Sequence, residues 1–197
     1  MKAERQNRNN SSLITQHSAL IFKTPWGWMG LAASAGRAGA GICRVVLPHR
    51  SRRAVVQALG ASFVIRHSSL GKAELTGLSA LLNRARSQVL GFLAGTRREL
   101  DFSVDLSEGS PFQRKVWRAT LRIPYGRVRS YQWVAAKVGG KRFARAVGLA
   151  LGSNPVPLVV PCHRVVAHDG SLGGFSCGLP AKRRLLTLEG TLSQLKS

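Results

Sequence analysis

The chain runs to 197 residues, 44% of them hydrophobic, enough for a real core in one large domain or two small ones. Thirty Lys and Arg against eight Asp and Glu leave a formal charge of +22. Solubility does not call for that imbalance; a polyanion does, and nucleic acid fits ahead of an anionic membrane, a merely solvated basic surface being the alternative.

Cys43, Cys162 and Cys177 form no even framework, which argues against a disulfide scaffold and for reduced thiols. No stretch approaches the roughly 20 apolar residues of a membrane span. Met1 to Ser12 is polar and carries no hydrophobic run of the signal-peptide kind. The expectation is a cytoplasmic protein with no membrane partner.

Residues 1–17, rich in Asn, Ser and Arg, read as a disordered basic tail. Ala19–Lys23, Trp28–Ala33 and Ile42–Leu47 are expected strands. Pro25-Trp26-Gly27 and a turn over Gly36–Gly41 divide them, which makes an antiparallel meander. Ser51–Leu59 is a helix with Ala54, Val55 and Ala58 on one side, and Phe63-Val64-Ile65 a further strand. Lys72–Leu93 is one long or broken helix on the spacing of Leu75, Leu78, Leu81, Leu82, Val89 and Phe92. The polar stretch Thr96–Gly109 crosses to a second unit.

There Ser110 caps a helix, Pro111 takes its first position, and Pro124 stops it after Arg122. Phe112, Val116, Trp117 and Leu121 can face inward, while Arg114, Arg118 and Arg122 recur every four residues as an outward basic row. Ser130 caps a short helix, Tyr131–Val138, that ends at Gly139-Gly140. A third helix, Arg142–Leu151, buries Phe143, Val147, Ala150 and Leu151 and presents Arg142, Arg145, Gly148, Leu149 and Gly152. Glycine costs a helix about 1 kcal/mol against alanine. Two glycines on an exposed ridge suit close approach to another surface, with Arg145 projecting from it. The pair resembles a helix-turn-helix; an ordinary helical pair with glycines for packing is the alternative. Asp169–Gly178 is a glycine-rich loop, Pro180 starts a last helix and Gly190 ends it. The fold class is therefore α+β. A tail (1–17) precedes an antiparallel-sheet α/β domain (18–105), a mostly helical domain (106–191) and a short tail (192–197).

The chemistry is concentrated in Val159-Val160-Pro161-Cys162-His163-Arg164-Val165-Val166. The β-branched flanks read as a buried extended segment that holds a soft nucleophile beside the commonest general base. Adjacent side chains on a strand point to opposite faces, so His163 reaches the thiol only through a bridging water or a backbone turn. Glu189 shares the inward face of Leu185 and Leu186 in the last helical turn, where the helix dipole disfavours a carboxylate. It needs a partner: His163, or alternatively an arginine in a structural ion pair. Glu189, His163, water and Cys162 would then form a relay that yields thiolate. A Cys-His dipeptide alone is equally a buried inert thiol beside a histidine, as Cys43 is expected to be.

At these residues the chain resembles the methylated-DNA–protein-cysteine S-methyltransferases, or O6-alkylguanine-DNA alkyltransferases. Pro161-Cys162-His163-Arg164, preceded by Gly152-Ser153-Asn154-Pro155-Val156-Pro157 and followed by Val165-Val166, carries the motif. The likeness runs from about Ser110 to Gly190, and only loosely before that, through Thr24-Pro25-Trp26-Gly27. It implies a ribonuclease-H-like amino-terminal domain and a winged helix-turn-helix that enters the minor groove of double-stranded DNA. Cys162 would be the alkyl acceptor, with His163 and Glu189 as its relay and Asn154 as the hinge. Arg145 would be the finger that fills the place of the extruded base, and Tyr131 would crowd the target phosphate and bond that base. Ser176 and the carbonyls of Cys162 and Val165 would orient the guanine, while Gly148, Arg142, Arg114 and Arg118 meet the DNA. The implied reaction is direct reversal, one turnover per molecule, by a monomer without cofactor. Phe175 and Cys177 depart from familiar residues and would tune the pocket. Some relatives bind zinc in the amino-terminal domain, but Cys43 with His17, His49 and His67 is a poor ligand set, and no metal is expected. A cysteine hydrolase and a lesion-binding protein without repair are the rival functions. The residues do not separate guanine from O4-alkylthymine lesions.

Overall fold

A computed structural model describes residues 16–36, 39–60 and 72–195. Three strands, β1 (Gln16–Thr24), β2 (Gly27–Gly36) and β3 (Gly39–His49), form an antiparallel sheet in the order β1-β2-β3. The first turn is held by Thr24, whose hydroxyl donates to the Gly27 carbonyl (2.8 Å) and accepts from the Trp26 N–H (3.0 Å). Glycine is required at 27: φ is +129°, and a Cβ would stand 2.6 Å from the His49 carbonyl oxygen. Gln16 and His17 belong to β1, so the expected tail overran the first strand by two residues.

The sheet is covered on both faces. Helix α1 (Arg52–Leu59), capped by the Ser51 hydroxyl, packs Val55 and Leu59 on Ala32, Cys43 and Val46. Ala58, expected on that face, is exposed; Leu59 takes the position. Helix α2 (Lys72–Leu93) is unbroken and packs Leu78, Leu82, Ala85, Val89 and Phe92 into the main core with Met29, Leu31, Ile42 and Leu47. The expected strand at 63–65 and the side chain of Leu75 lie outside the described residues.

Residues 103–105 are less a linker than a short parallel partner of β3. The Ile42 N–H donates to Ser103 (2.8 Å) and the Asp105 N–H to Ile42 (2.9 Å). The Ser34 hydroxyl meets the Asp105 carboxylate at 2.6 Å. One apolar core runs from the sheet through Val116, Trp117 and Val147 to Cys162.

Helix α3 (Pro111–Thr120) opens on a capping box between Ser110 and Gln113. It stops two residues short of Arg122, and Leu121, expected inside, is 39% exposed; Ala119 and Thr120 are buried instead. Helix α4 (Tyr131–Val138) has the expected bounds, from the Ser130 cap to Gly139. A 3-10 turn (Lys141–Phe143) replaces the first turn of the third helix, and α5 (Ala144–Gly152) follows. The indole of Trp117 donates to the Ala150 carbonyl (2.8 Å), which locks α3 to α5. Strands β4 (Arg129–Ser130) and β5 (Val165–Val166) pair in parallel over two residues each. Helix α6 (Leu179–Leu188) and a 3-10 turn (Leu192–Gln194) close the chain.

Candidate active site

The reactive segment is buried but not extended. Cys162–Arg164 is a 3-10 turn, closed by Arg164 N–H to the Pro161 carbonyl (2.9 Å) and by Val165 N–H to that of Cys162. The turn overrides the β preference of its valine flanks because the chain before it is already bent. Leu158, buried among the core, has φ +75°, a conformation costly for a branched side chain. The Val160 N–H to Val156 carbonyl bond (3.0 Å) helps hold that bend. Asn154 binds the bend from inside. Its Oδ1 accepts from the Val156 N–H (3.1 Å), and its Nδ2 donates to the Val160 carbonyl (2.9 Å) and to Cys162 Sγ (3.1 Å). The Val45 N–H to Pro155 carbonyl bond (2.9 Å) ties the same bend to β3.

Cys162 is 5% exposed, and burial pushes its thiol up to about 11 against the opposing hydrogen bond from Asn154. At rest the sulfur therefore carries its proton, which a relay would have to remove. The sulfur lines a cavity of about 330 Å³. Tyr131, Gly148, Leu151 and Gly152 come to it from α4 and α5, and Gly174, Phe175 and Ser176 from the loop after the turn. The Tyr131 hydroxyl donates to the Gly174 carbonyl (3.1 Å). A Cβ at Gly173 would stand 2.9 Å from the tyrosine ring. Ser176 is exposed at the rim beside Cys177, their Oγ and Sγ 3.9 Å apart.

Behind the sulfur, His163 is fully buried, with Nε2 2.8 Å from Glu189 Oε1. The carboxylate can only accept, so Nε2 carries the proton and Nδ1 presents its lone pair; Nδ1 has no protein partner among the described residues. Burial holds the imidazole below its ordinary value despite the carboxylate. Glu189 satisfies both alternatives set out for it. Arg164 Nε reaches Oε1 (3.1 Å) and Oε2 (2.9 Å), and Nη2 reaches Oε1 (2.9 Å). The other arm, Nη1, donates to the Ile123 carbonyl (2.7 Å). Burial would raise the Glu189 carboxyl, but His163 and Arg164 together hold it below the usual range.

Sequence reasoning passed over Arg164 and Lys182. Arg164 stands in an apolar run, and Lys182 shares the inward face of α6 with Leu185, Leu186 and Glu189 at helical spacing; that periodicity was the available signal. The Lys182 ammonium donates to the carbonyls of Val165 (2.6 Å), Leu172 (2.6 Å) and Gly174 (3.2 Å). Of the two carbonyls expected to orient a base, Val165 thus already serves Lys182, and Cys162 serves the Val165 N–H.

Arg145, Gly152 and Leu149 are exposed on α5, and Gly148 is half-buried. Arg142 is exposed with its guanidinium 5.1 Å from the Phe143 ring centre, and Arg118 is exposed on α3. Arg114 leaves the expected outward row: it is half-buried, and its Nη1 donates to the carbonyls of Ser107 (3.2 Å) and Gly109. In the sheet, Cys43 Sγ donates to the Ala32 carbonyl (3.5 Å), and burial pushes its thiol up to about 11. His67 lies outside the described residues, among which no group of three His, Cys, Asp or Glu could hold a metal.

The family profile described as "6-O-methylguanine DNA methyltransferase, DNA binding domain" matches residues 111–191. A methylated-DNA–protein-cysteine methyltransferase of Mycolicibacterium paratuberculosis is 50% identical over 105 residues, which cover 53% of this chain and 63% of that protein. The protein of that name from Methanosarcina acetivorans is 42% identical over 107 residues, 54% of this chain and 68% of that one. The crystal structure of Mycobacterium tuberculosis OGT in complex with DNA superposes with a TM-score of 0.65 at 34% identity, covering 89% and 94% of the two chains. The chain belongs to the methylated-DNA–protein-cysteine methyltransferase family. Its match spans somewhat under two thirds of the mycobacterial sequence relatives' length.

Proposed function

We propose that this protein repairs O6-alkylguanine in double-stranded DNA by moving the alkyl group onto Cys162 Sγ, once per molecule. The observation that carries the reading is the Cys162 thiol lining a cavity of about 330 Å³, next in the chain to a buried His163–Glu189 pair. An O6-alkyl carbon inside a duplex is out of reach, so the base is extruded into the cavity, at a cost of a few kcal/mol in unstacking. The glycine ridge of α5 lies in the minor groove, with Gly148 at the contact and Arg145 in the space the base vacates. Tyr131 crowds the target phosphate, Ser176 and the second lone pairs of the Cys162 and Val165 carbonyls orient the base, and Arg142 and Arg118 bind flanking phosphates.

The thiol proton leaves through a bridging water to His163 Nδ1, and Glu189 stabilises the imidazolium. The thiolate attacks the alkyl carbon in line, the S–C bond forms and the C–O bond breaks, and the electron pair returns to the guanine, which takes up a proton. Asn154 holds the sulfur in line. The product is a thioether, which has no route back to a thiol here.

In this reading residues 106–191 are a winged helix-turn-helix domain, with β4 and β5 in the wing region, and residues 18–105 a ribonuclease-H-like domain. The protein acts as a monomer in the cytoplasm. A cysteine hydrolase would need the imidazole on the sulfur; here the side-chain partner of the sulfur is Asn154. Duplex DNA carrying O6-methylguanine with a radiolabelled methyl tests the proposal. Label should pass to the wild-type protein and none to Cys162→Ser, although the variant still binds the duplex. Label that stays on the DNA, or appears as free methanol, contradicts it.

A further inference from the structure

Ile123, Pro124, Tyr125 and Gly126 turn the chain between α3 and β4. The Pro124 carbonyl accepts from the Arg127 N–H (3.3 Å), and Gly126 takes φ +73°, which glycine adopts freely. Three bonds run from this turn to Arg164 and to the end of α6. The Ile123 carbonyl accepts from Arg164 Nη1 (2.7 Å), the Gly126 N–H donates to Glu189 Oε2 (3.4 Å), and the Tyr125 hydroxyl donates to the Leu188 carbonyl (2.9 Å). Leu188 is the last residue of α6 and Glu189 its C-cap, so that carbonyl is one of those a helix leaves without an internal partner. The same helix end places partial negative charge beside the Glu189 carboxylate, and a donor there offsets it. The tyrosine ring is held as well. Phe92 of α2 meets it edge-on with centres 5.8 Å apart, and the Arg164 guanidinium carbon lies 5.7 Å from its centre. Packing alone calls for a phenylalanine here. The hydroxyl is spent on the carbonyl that precedes the relay carboxylate in the chain.

We propose that Tyr125 is a positioning residue for alkyl transfer: it anchors the end of α6 and backs Arg164, and so holds the Glu189 carboxylate where it keeps His163 protonated on Nε2. The inference rests on the alkyl-transfer reading above, in which only a free Nδ1 lone pair can take up the thiol proton. Tyr125 does not line the cavity at Cys162, so it acts through the buried pair. The charged groups around its phenol are Glu189 on α6, Arg164 on the reactive turn and Arg98 on the segment after α2, whose guanidinium carbon also lies 5.7 Å from the ring centre. Burial, and then the Glu189 charge, hold the phenol above its ordinary value, so it remains a donor through the neutral range.

Single-turnover methyl transfer by wild type, Tyr125→Phe and Tyr125→Leu tests this, alongside thermal melting, duplex affinity and the ¹⁵N spectrum of the His163 ring. Phenylalanine keeps the ring and removes the donor. Its transfer rate at neutral pH should fall about three- to tenfold, the scale of one neutral hydrogen bond. The His163 ring should shift from the Nε2–H form towards a mixture of tautomers. Leucine, which removes the ring too, should be slower again, while duplex affinity is unchanged in both. A phenylalanine variant that matches wild type in rate and histidine spectrum would overturn the proposal; so would a slower one whose histidine spectrum is unchanged. Should Tyr125→Phe not fold, a ring-fluorinated tyrosine at that position alone decides. Its more acidic phenol ionises earlier, so transfer should fail at a lower alkaline pH than in wild type, and an unmoved alkaline limb overturns the proposal. Wild type that takes up no methyl at all defeats the underlying reading instead.

Discussion

At the scale of the residue, the site is a division of labour among buried charges. Glu189 accepts from His163, Arg164 and, at 3.4 Å, the Gly126 N–H, so its negative charge is kept and its orientation set. Replacing it with glutamine leaves the Arg164 guanidinium buried against a neutral amide. That should cost about 3–5 kcal/mol in urea denaturation at pH 7, and transfer should slow while DNA affinity holds. An unchanged rate would remove Glu189 from the relay. The same pair sets the response to acid. The folded pKa of Glu189 lies below its unfolded value, so its contribution is present above about pH 4.3 and fades as pH falls through the folded value. His163 is also depressed, so protonation favours the unfolded chain once pH drops below about 6.5. Urea midpoints should therefore decline from pH 7 towards pH 4; a flat profile would contradict the buried pair. The burial of Arg164 was illegible in the sequence, and that of Lys182 legible only as helical spacing, for a physical reason. A cation is placed at the surface unless its partner is known, and these partners lie 25 residues away or are backbone carbonyls.

At the scale of the element, legibility followed how local the forces are. Tyr131–Val138 and Lys72–Leu93 have the expected bounds because caps, glycines and apolar spacing act within a few residues. The turn at Cys162 was read as a strand because its shape depends on Asn154, on the left-handed Leu158 and on a bond to β3, none of which a local pattern reveals. The ridge of α5 offers a direct test of why glycine stands there. A Cβ at Gly148 would meet the Tyr131 ring at 3.8 Å, ordinary contact, so nothing in the free protein forbids alanine. Gly148→Ala should raise the melting stability by up to about 1 kcal/mol and weaken duplex binding several-fold. Weakened stability with unchanged binding would mean that the glycine serves packing instead. Arg145→Ala on the same ridge should lower repair more than general binding; equal losses would count against its place in the vacated stack.

At the scale of the whole molecule, the charge of +22 suits the proposed search of DNA without regard to sequence. Duplex affinity should fall steeply with salt, and the loss of a phosphate contact at Arg118 should reduce the slope of log K against log salt by about 1. Arg114→Ala should leave that slope alone and cost stability, because its guanidinium is spent on the carbonyls of Ser107 and Gly109. If the two arginines behave alike, the assignment of contacts on α3 is wrong. The most direct measurement is a titration of O6-methylguanine duplex against a fixed amount of protein, read by intact mass and peptide mapping. The account predicts that repair stops at one lesion per protein molecule, with one methyl on Cys162. Lesions repaired in excess of protein, or a methyl found on any other residue, would contradict it.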